Sequence, residues 1–162
     1  MEATEYLTRQ HREIEQALRE ALDTENPDAK RSRFLDIADA LILHIAAEEL
    51  VFYPAVHDEP NEDVLLESLE EHLALKRLLS DLLALQGDDV TFQPKLHVLR
   101  EQAEHHHRDE ERKLFPEVRA KFDSDRLEAL GREMETLELT MQARGKPRRT
   151  VHGQTEAAQP LR

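Results

Sequence analysis

The chain has no cysteine among its 162 residues. That absence excludes disulfides, thiolate metal sites, iron–sulfur clusters and cysteine nucleophiles together. Glycine is scarce, with four residues, and no glycine-rich phosphate loop, nucleophile elbow or Ser–His–Asp set can be read. The N-terminal Met1-Glu2-Ala3-Thr4-Glu5 lacks the basic and apolar regions of a signal peptide. No uncharged apolar run approaches the roughly 18 residues needed to cross a bilayer. The expectation is a soluble cytoplasmic protein. Positive charge is also short: 22 Lys and Arg against 35 Asp and Glu leave −13, which argues against nucleic acid or an anionic membrane as a partner. The deficit is uneven. Residues 144–162 hold Arg144, Lys146, Arg148, Arg149 and Arg162 against Glu156, a local +4, so residues 1–143 carry −17.

Ala, Leu, Glu, Lys, Arg and Gln dominate, so helix propensity is high nearly throughout. Breaks at Asn26-Pro27, Glu59-Pro60-Asn61, Gly87-Asp88-Asp89 and Asp123-Ser124-Asp125 divide the chain into helices over 3–24, 29–57, 62–86, 92–121 and 124–143. The first four carry apolar stripes at three- and four-residue spacing. Histidine and glutamate intrude on those stripes: His11 between Leu7 and Ile14, His44 and Glu48 between Leu41 and Val51, His72 between Leu69 and Leu75, His106 and Glu110 between Ala103 and Leu114. Short connections between long amphipathic helices predict an all-α, up-and-down antiparallel four-helix bundle within a single domain. The fifth helix, with Leu127, Leu130, Met134, Leu137 and Met141, caps the bundle, packs on a partner or mediates self-association. Residues 1–143 thus form the folded domain, and the basic, aperiodic 144–162 reads as a disordered tail open to a protein partner.

The intruding residues repeat. His11, His44-x3-Glu48 and Pro54 are followed 61 or 62 residues later by His72, His106-x3-Glu110 and Pro116. Residues four apart on an α-helix differ by about 40° in direction and about 6 Å in height. His44 with Glu48, and His106 with Glu110, therefore point together into the bundle. One interior layer then gathers four imidazoles and two carboxylates. Without a cation, two buried carboxylates cost several kcal/mol. Two divalent ions remove that cost, and a glutamate can span ions about 3.5–4 Å apart. Imidazole suits iron, zinc, copper and nickel, whereas magnesium or calcium would select oxygen alone. The competing reading is a buried polar network or a decayed site.

The remaining candidates read as surface. His97 faces solvent, His105 and His107 lie on exposed flanks about 100° either side of His106, and Glu49 and Glu111 belong to solvated helix faces. His57 and His152 are incidental. Pro54 and Pro116 should kink or end their helices soon after the layer.

The pattern H…HxxxE…H…HxxxE, with the trailing Phe52-Tyr53-Pro54 and Leu114-Phe115-Pro116, resembles the hemerythrin-like, or HHE cation-binding, family over roughly residues 5 to 120. The resemblance implies a non-haem, oxo- or hydroxo-bridged di-iron centre with Glu48 and Glu110 as bridging carboxylates; zinc or manganese remains open as the occupant. Oxygen-carrying hemerythrins have a fifth histidine where this chain has Lys76. That departure implies at least one more open or water-filled coordination position. It moves the expectation from oxygen carriage toward binding or reduction of a small oxidant such as O2, nitric oxide or peroxide. The alternatives are an iron-responsive sensor or iron-handling protein without turnover, and an interaction module with a vestigial site.

Overall fold

A computed structural model describes residues 1–162. It is all-helical. Helix α1 spans Ala3–Asp23, and α2 spans Pro27–Ala47. After α2 the chain makes a π-helical turn over Glu48–Phe52 and resumes as α3, Tyr53–Val56. Helix α4 is Glu62–Leu83; α5, Phe92–Asp109, passes through a second π-turn, Glu110–Leu114, into α6, Phe115–Lys121. Helix α7, Ser124–Ala143, completes the long elements. Helices α2–α3 and α5–α6 are thus two bent rods, and with α1 and α4 they make the four-helix bundle. Each start has a chemical reason. The Glu2 carboxylate accepts from the amides of Thr4 and Glu5 at the head of α1. Asn26 caps α2 with Pro27 in its first turn, and Asp123 caps α7. Gly87, between α4 and α5, lies against the Pro27 carbonyl so closely that an added Cβ would sit 2.0 Å from that oxygen.

Helix α1 packs on α2 and α5, and α4 packs on the same two, so the bundle closes in the order α1–α2–α4–α5. Two apolar clusters fill it. One gathers Leu18, Phe34, Leu41, Leu79, Phe92 and Leu99; the other gathers Leu7, Phe52, Leu65, Leu69, Phe115 and Leu130. Between them lies the layer carrying the repeated histidines and glutamates. Helix α7 lies on α1, α2 and the first π-turn, burying Leu127, Leu130 and Met134 against the second cluster. No helix is long and apolar enough to cross a membrane.

A kink or an end was expected at Pro54 and Pro116, and the bend takes the form of a π-turn before each proline, with Tyr53 N–H bonded to the Glu48 carbonyl and Phe115 N–H to that of Glu110. A proline ring clashes with the carbonyl four residues back, and the wider turn relieves that clash. Residues 144–162 read as disordered, yet Pro147–Gln154 forms a 3-10 helix packed on α2 and α4. Val151 is buried in the first cluster, and Arg148 binds Asp39 through its backbone N–H at 2.9 Å and its guanidinium at 3.1 Å. A short turn fixed by two buried residues carries no periodicity to read.

Candidate metal centre

All six residues singled out by the repeat converge in one buried layer. His11, Glu48 and His72 are wholly inaccessible, and His44, His106 and Glu110 nearly so. The ligand atoms of His11, His44, Glu48 and Glu110 lie within 4.8 Å of one another, as do those of Glu48, His72 and His106. The two groups share Glu48. Each helix contributes as its stripe dictates, and the 3.6-residue period puts His44 over Glu48 (Nε2 to Oε1, 2.9 Å) and His106 over Glu110 (3.4 Å). His11 reaches Glu110 at 3.2 Å and His72 reaches Glu48 at 3.4 Å, so each carboxylate serves imidazoles from two helices.

Around this layer lies a second ring of polar groups, which repeats in the same register. Every inner imidazole turns its Nε2 inward and its Nδ1 to an outer acceptor. His11 Nδ1 meets Glu111 at 2.9 Å and His72 Nδ1 meets Glu49 at 3.0 Å. His44 Nδ1 meets Gln10 at 2.8 Å and His106 Nδ1 meets Glu71 at 2.9 Å. The residue after each inner glutamate thus holds the histidine of α1 or α4. The residue before that histidine holds the one on α2 or α5. Such acceptors fix the Nδ1–H tautomer and leave the Nε2 lone pair for a cation. Glu49 and Glu111 are therefore not solvated surface: the first is buried, and the second is drawn in by His11 and Arg12.

His107 is the larger correction. Expected on an exposed flank, it is fully buried, stacked on His11 with centroids 3.9 Å apart. Helix α5 sits in the corner between α1 and α4, so two adjacent positions both face inward: His106 toward α4, His107 toward α1. His105 stays exposed, as expected, and so does His97. Tyr53 was also missed. The π-turn carries residue 53 over residue 48, and the buried Tyr53 hydroxyl donates to Glu110 at 2.7 Å and lies 3.3 Å from Glu48. Lys76 does not enter the layer; it is buried with its ammonium on Glu49 at 2.8 Å.

Five buried polar atoms here have no hydrogen-bond partner: Nε2 of His11, His44 and His107, and Oε1 of Glu48 and Glu110. Orphaned buried groups cost about 1–3 kcal/mol each, and these five are the atom types that a metal cation takes up. The donor set therefore fits the pair of ions expected from the sequence. Electrostatics without metal agree. Burial and the Glu110 charge push Glu48 well up, while the His106 charge, the facing Glu48 carboxyl and the nearby His11 outweigh burial and hold Glu110 well down. Burial, then the His11 charge, keeps His44 and His107 neutral. Burial opposes charge on His11, yet Glu110 and Glu111 raise it to about 9. The metal-free layer thus holds protons that two cations would displace. A cleft of about 540 Å³ between α1, α2 and α7 reaches Gln10, and so stops one residue short of His44.

Comparisons with known proteins place this geometry. A solved structure from Mycobacterium kansasii, described as a hemerythrin HHE cation binding domain-containing protein, superposes with a TM-score of 0.77. The match covers 93% of this chain and 97% of that one at 24% identity, which is a likeness of fold. A curated relative from Nostoc sp., named as a DNA nickase, is 27% identical over 134 residues. Those residues are 83% of this chain and 38% of the relative, so the chain spans well under half of that protein. The hemerythrin HHE cation binding domain model matches residues 2–118, and with most of its length and its whole His–Glu layer inside that span, the chain belongs to this family.

Proposed function

We propose that the chain is a non-haem di-iron protein that binds or reduces a small oxidant (O2, nitric oxide or peroxide). His11, His44, Glu48, His72, His106 and Glu110 hold the ions. The observation that carries the reading is the set of orphaned ligand atoms: His11, His44, Glu48 and Glu110 each aim an unpartnered atom into one buried layer. Iron as the metal rests on family membership and the imidazole–carboxylate donors; zinc and manganese are the competing occupants. Bound iron supplies one-electron chemistry by cycling between ferrous and ferric states. The chain's own groups do the rest. Glu48 and Glu110 span the layer, the outer acceptors hold the imidazoles in register, and the apolar clusters on both sides exclude water. The Tyr53 hydroxyl, on Glu110 and 3.4 Å from His72 Nε2, places a proton at the face where a small oxidant would gather charge.

The name of the Nostoc relative adds DNA as a substrate, but a chain of net charge −13 is a poor host for a polyanion. The test is metal content with a spectrum. Protein loaded anaerobically with ferrous iron should bind two ions per chain and melt well above the metal-free form. It should also develop near-ultraviolet oxo-bridge bands on exposure to oxygen, nitric oxide or peroxide. A preparation that takes up no iron and gains no such bands would sink the proposal. A large rise in melting temperature without turnover of any oxidant would favour the iron-sensing reading instead.

A further inference from the structure

The His–Glu layer is nearly two-fold symmetric, and one pair breaks the symmetry. In the repeat register, Gln10 corresponds to Glu71, His11 to His72, Glu49 to Glu111, and Glu48 to Glu110. By the same offsets Glu15 corresponds to Lys76, and His107 to Ile45. One half therefore has a buried carboxylate facing a buried imidazole where the other has a lysine and an isoleucine. His107 is not ordinary filling. Its Nδ1 points outward to Glu15 at 3.4 Å, and its Nε2 points inward without a partner, the arrangement shared by His11 and His44. Glu15 is in turn held by Arg12, which also binds Glu111 behind His11. The ligand atoms of His11, His44 and His107 lie within 4.8 Å of one another. Ile45 shows that an apolar residue satisfies the packing at the matching position, being itself buried. A histidine there, oriented by a carboxylate, is a costlier choice that packing alone does not require.

We infer that His107 Nε2 is the third imidazole of the metal position between His11 and His44, so that the two positions are unequal. This rests on the metal-binding reading above. One position then has His11, His44 and His107. The other has His72 and His106, with the Tyr53 hydroxyl beside them. The fifth imidazole is not missing from the chain but sits across the layer from Lys76.

The test uses cobalt(II) as the probe on full-length protein, with variants H107F, H107Q and H105Q. H107F keeps the stack on His11 and removes the donor. Its metal-free form should melt at or above the wild-type temperature, which establishes folding without reference to metal. Titration should show one ion bound as in wild type and the other weakened at least ten- to a hundredfold, the range seen when even an outer partner of a ligand is lost. X-ray absorption should count four imidazoles per pair of ions instead of five. H107Q should give the same split, and H105Q should match wild type. Two ions bound with wild-type affinity and an unchanged cobalt spectrum in H107F or H107Q would overturn the inference and leave the metal centre standing. A wild-type chain that binds no ion would overturn both.

Discussion

Glu49 serves two partners with two oxygens: Oε2 accepts from His72 Nδ1 and Oε1 from the Lys76 ammonium. Burial alone would raise this carboxyl, but the His72 hydrogen bond and the Lys76 charge outweigh it and hold the group below its ordinary value. Lys76 matters here as the counter-charge that keeps Glu49 ionised behind His72, and not as an empty place in the layer. Both side chains are under 5% exposed, so removing Glu49 leaves Lys76 buried and unpaired, at about 3–5 kcal/mol, whereas removing Lys76 leaves Glu49 with His72 as its remaining partner. Urea unfolding should show a loss of that order for metal-free E49Q and a smaller one for K76M. The double variant should cost clearly less than the sum, and additive losses would mean the pair is not coupled. Lys76 was read only as the place of an absent imidazole and Glu49 as solvated surface, so their pairing behind His72 was not legible. A glutamate following the inner glutamate looks like solvated helix until the fold shows that α2 is enclosed on that side by α4.

At the scale of the element, the two π-turns do the positioning. Each widens its rod by one residue between the inner glutamate and the proline, and so brings Tyr53 and Phe115 back onto the core face. Deleting the half-exposed Leu50 should convert the first turn to plain α-helix and drive the Pro54 ring against the carbonyl four residues back. The expected cost is about 3 kcal/mol, and adding P54A should recover most of it. Circular dichroism melts of the two proteins check this, and equal stability with and without the proline would show that the turn has another cause. The long helices and the six repeated positions were readable because period and register are properties of sequence. A π-turn is not, since its signal is only a proline, which speaks equally for a kink or an end. His107 was hidden for a related reason: a helix with two packed neighbours buries two adjacent positions, and a single stripe marks one.

On the scale of the whole molecule, α7 and the 3-10 turn shield one side of the bundle, and α7 brings in a titratable group. Glu138 accepts from Tyr6 and from Gln10, whose carbonyl oxygen in turn meets His44. Burial raises its carboxyl from 4.5 to about 7. A raised carboxyl stabilises the fold fully below its unfolded value, and that contribution disappears as pH rises through the folded value. Metal-free wild type and E138Q should therefore melt alike near pH 4.5 and diverge through pH 7, with E138Q the more stable at pH 8. A constant gap across that range would place the effect elsewhere. The inner layer has a consequence of another kind. Its ligand atoms lie between two apolar blocks, with His11, Glu48 and His72 closed to solvent, so an ion can arrive or depart only while the helices part. Occupancy is then governed by a clock as much as by affinity: the frequency of that opening sets how long an ion stays.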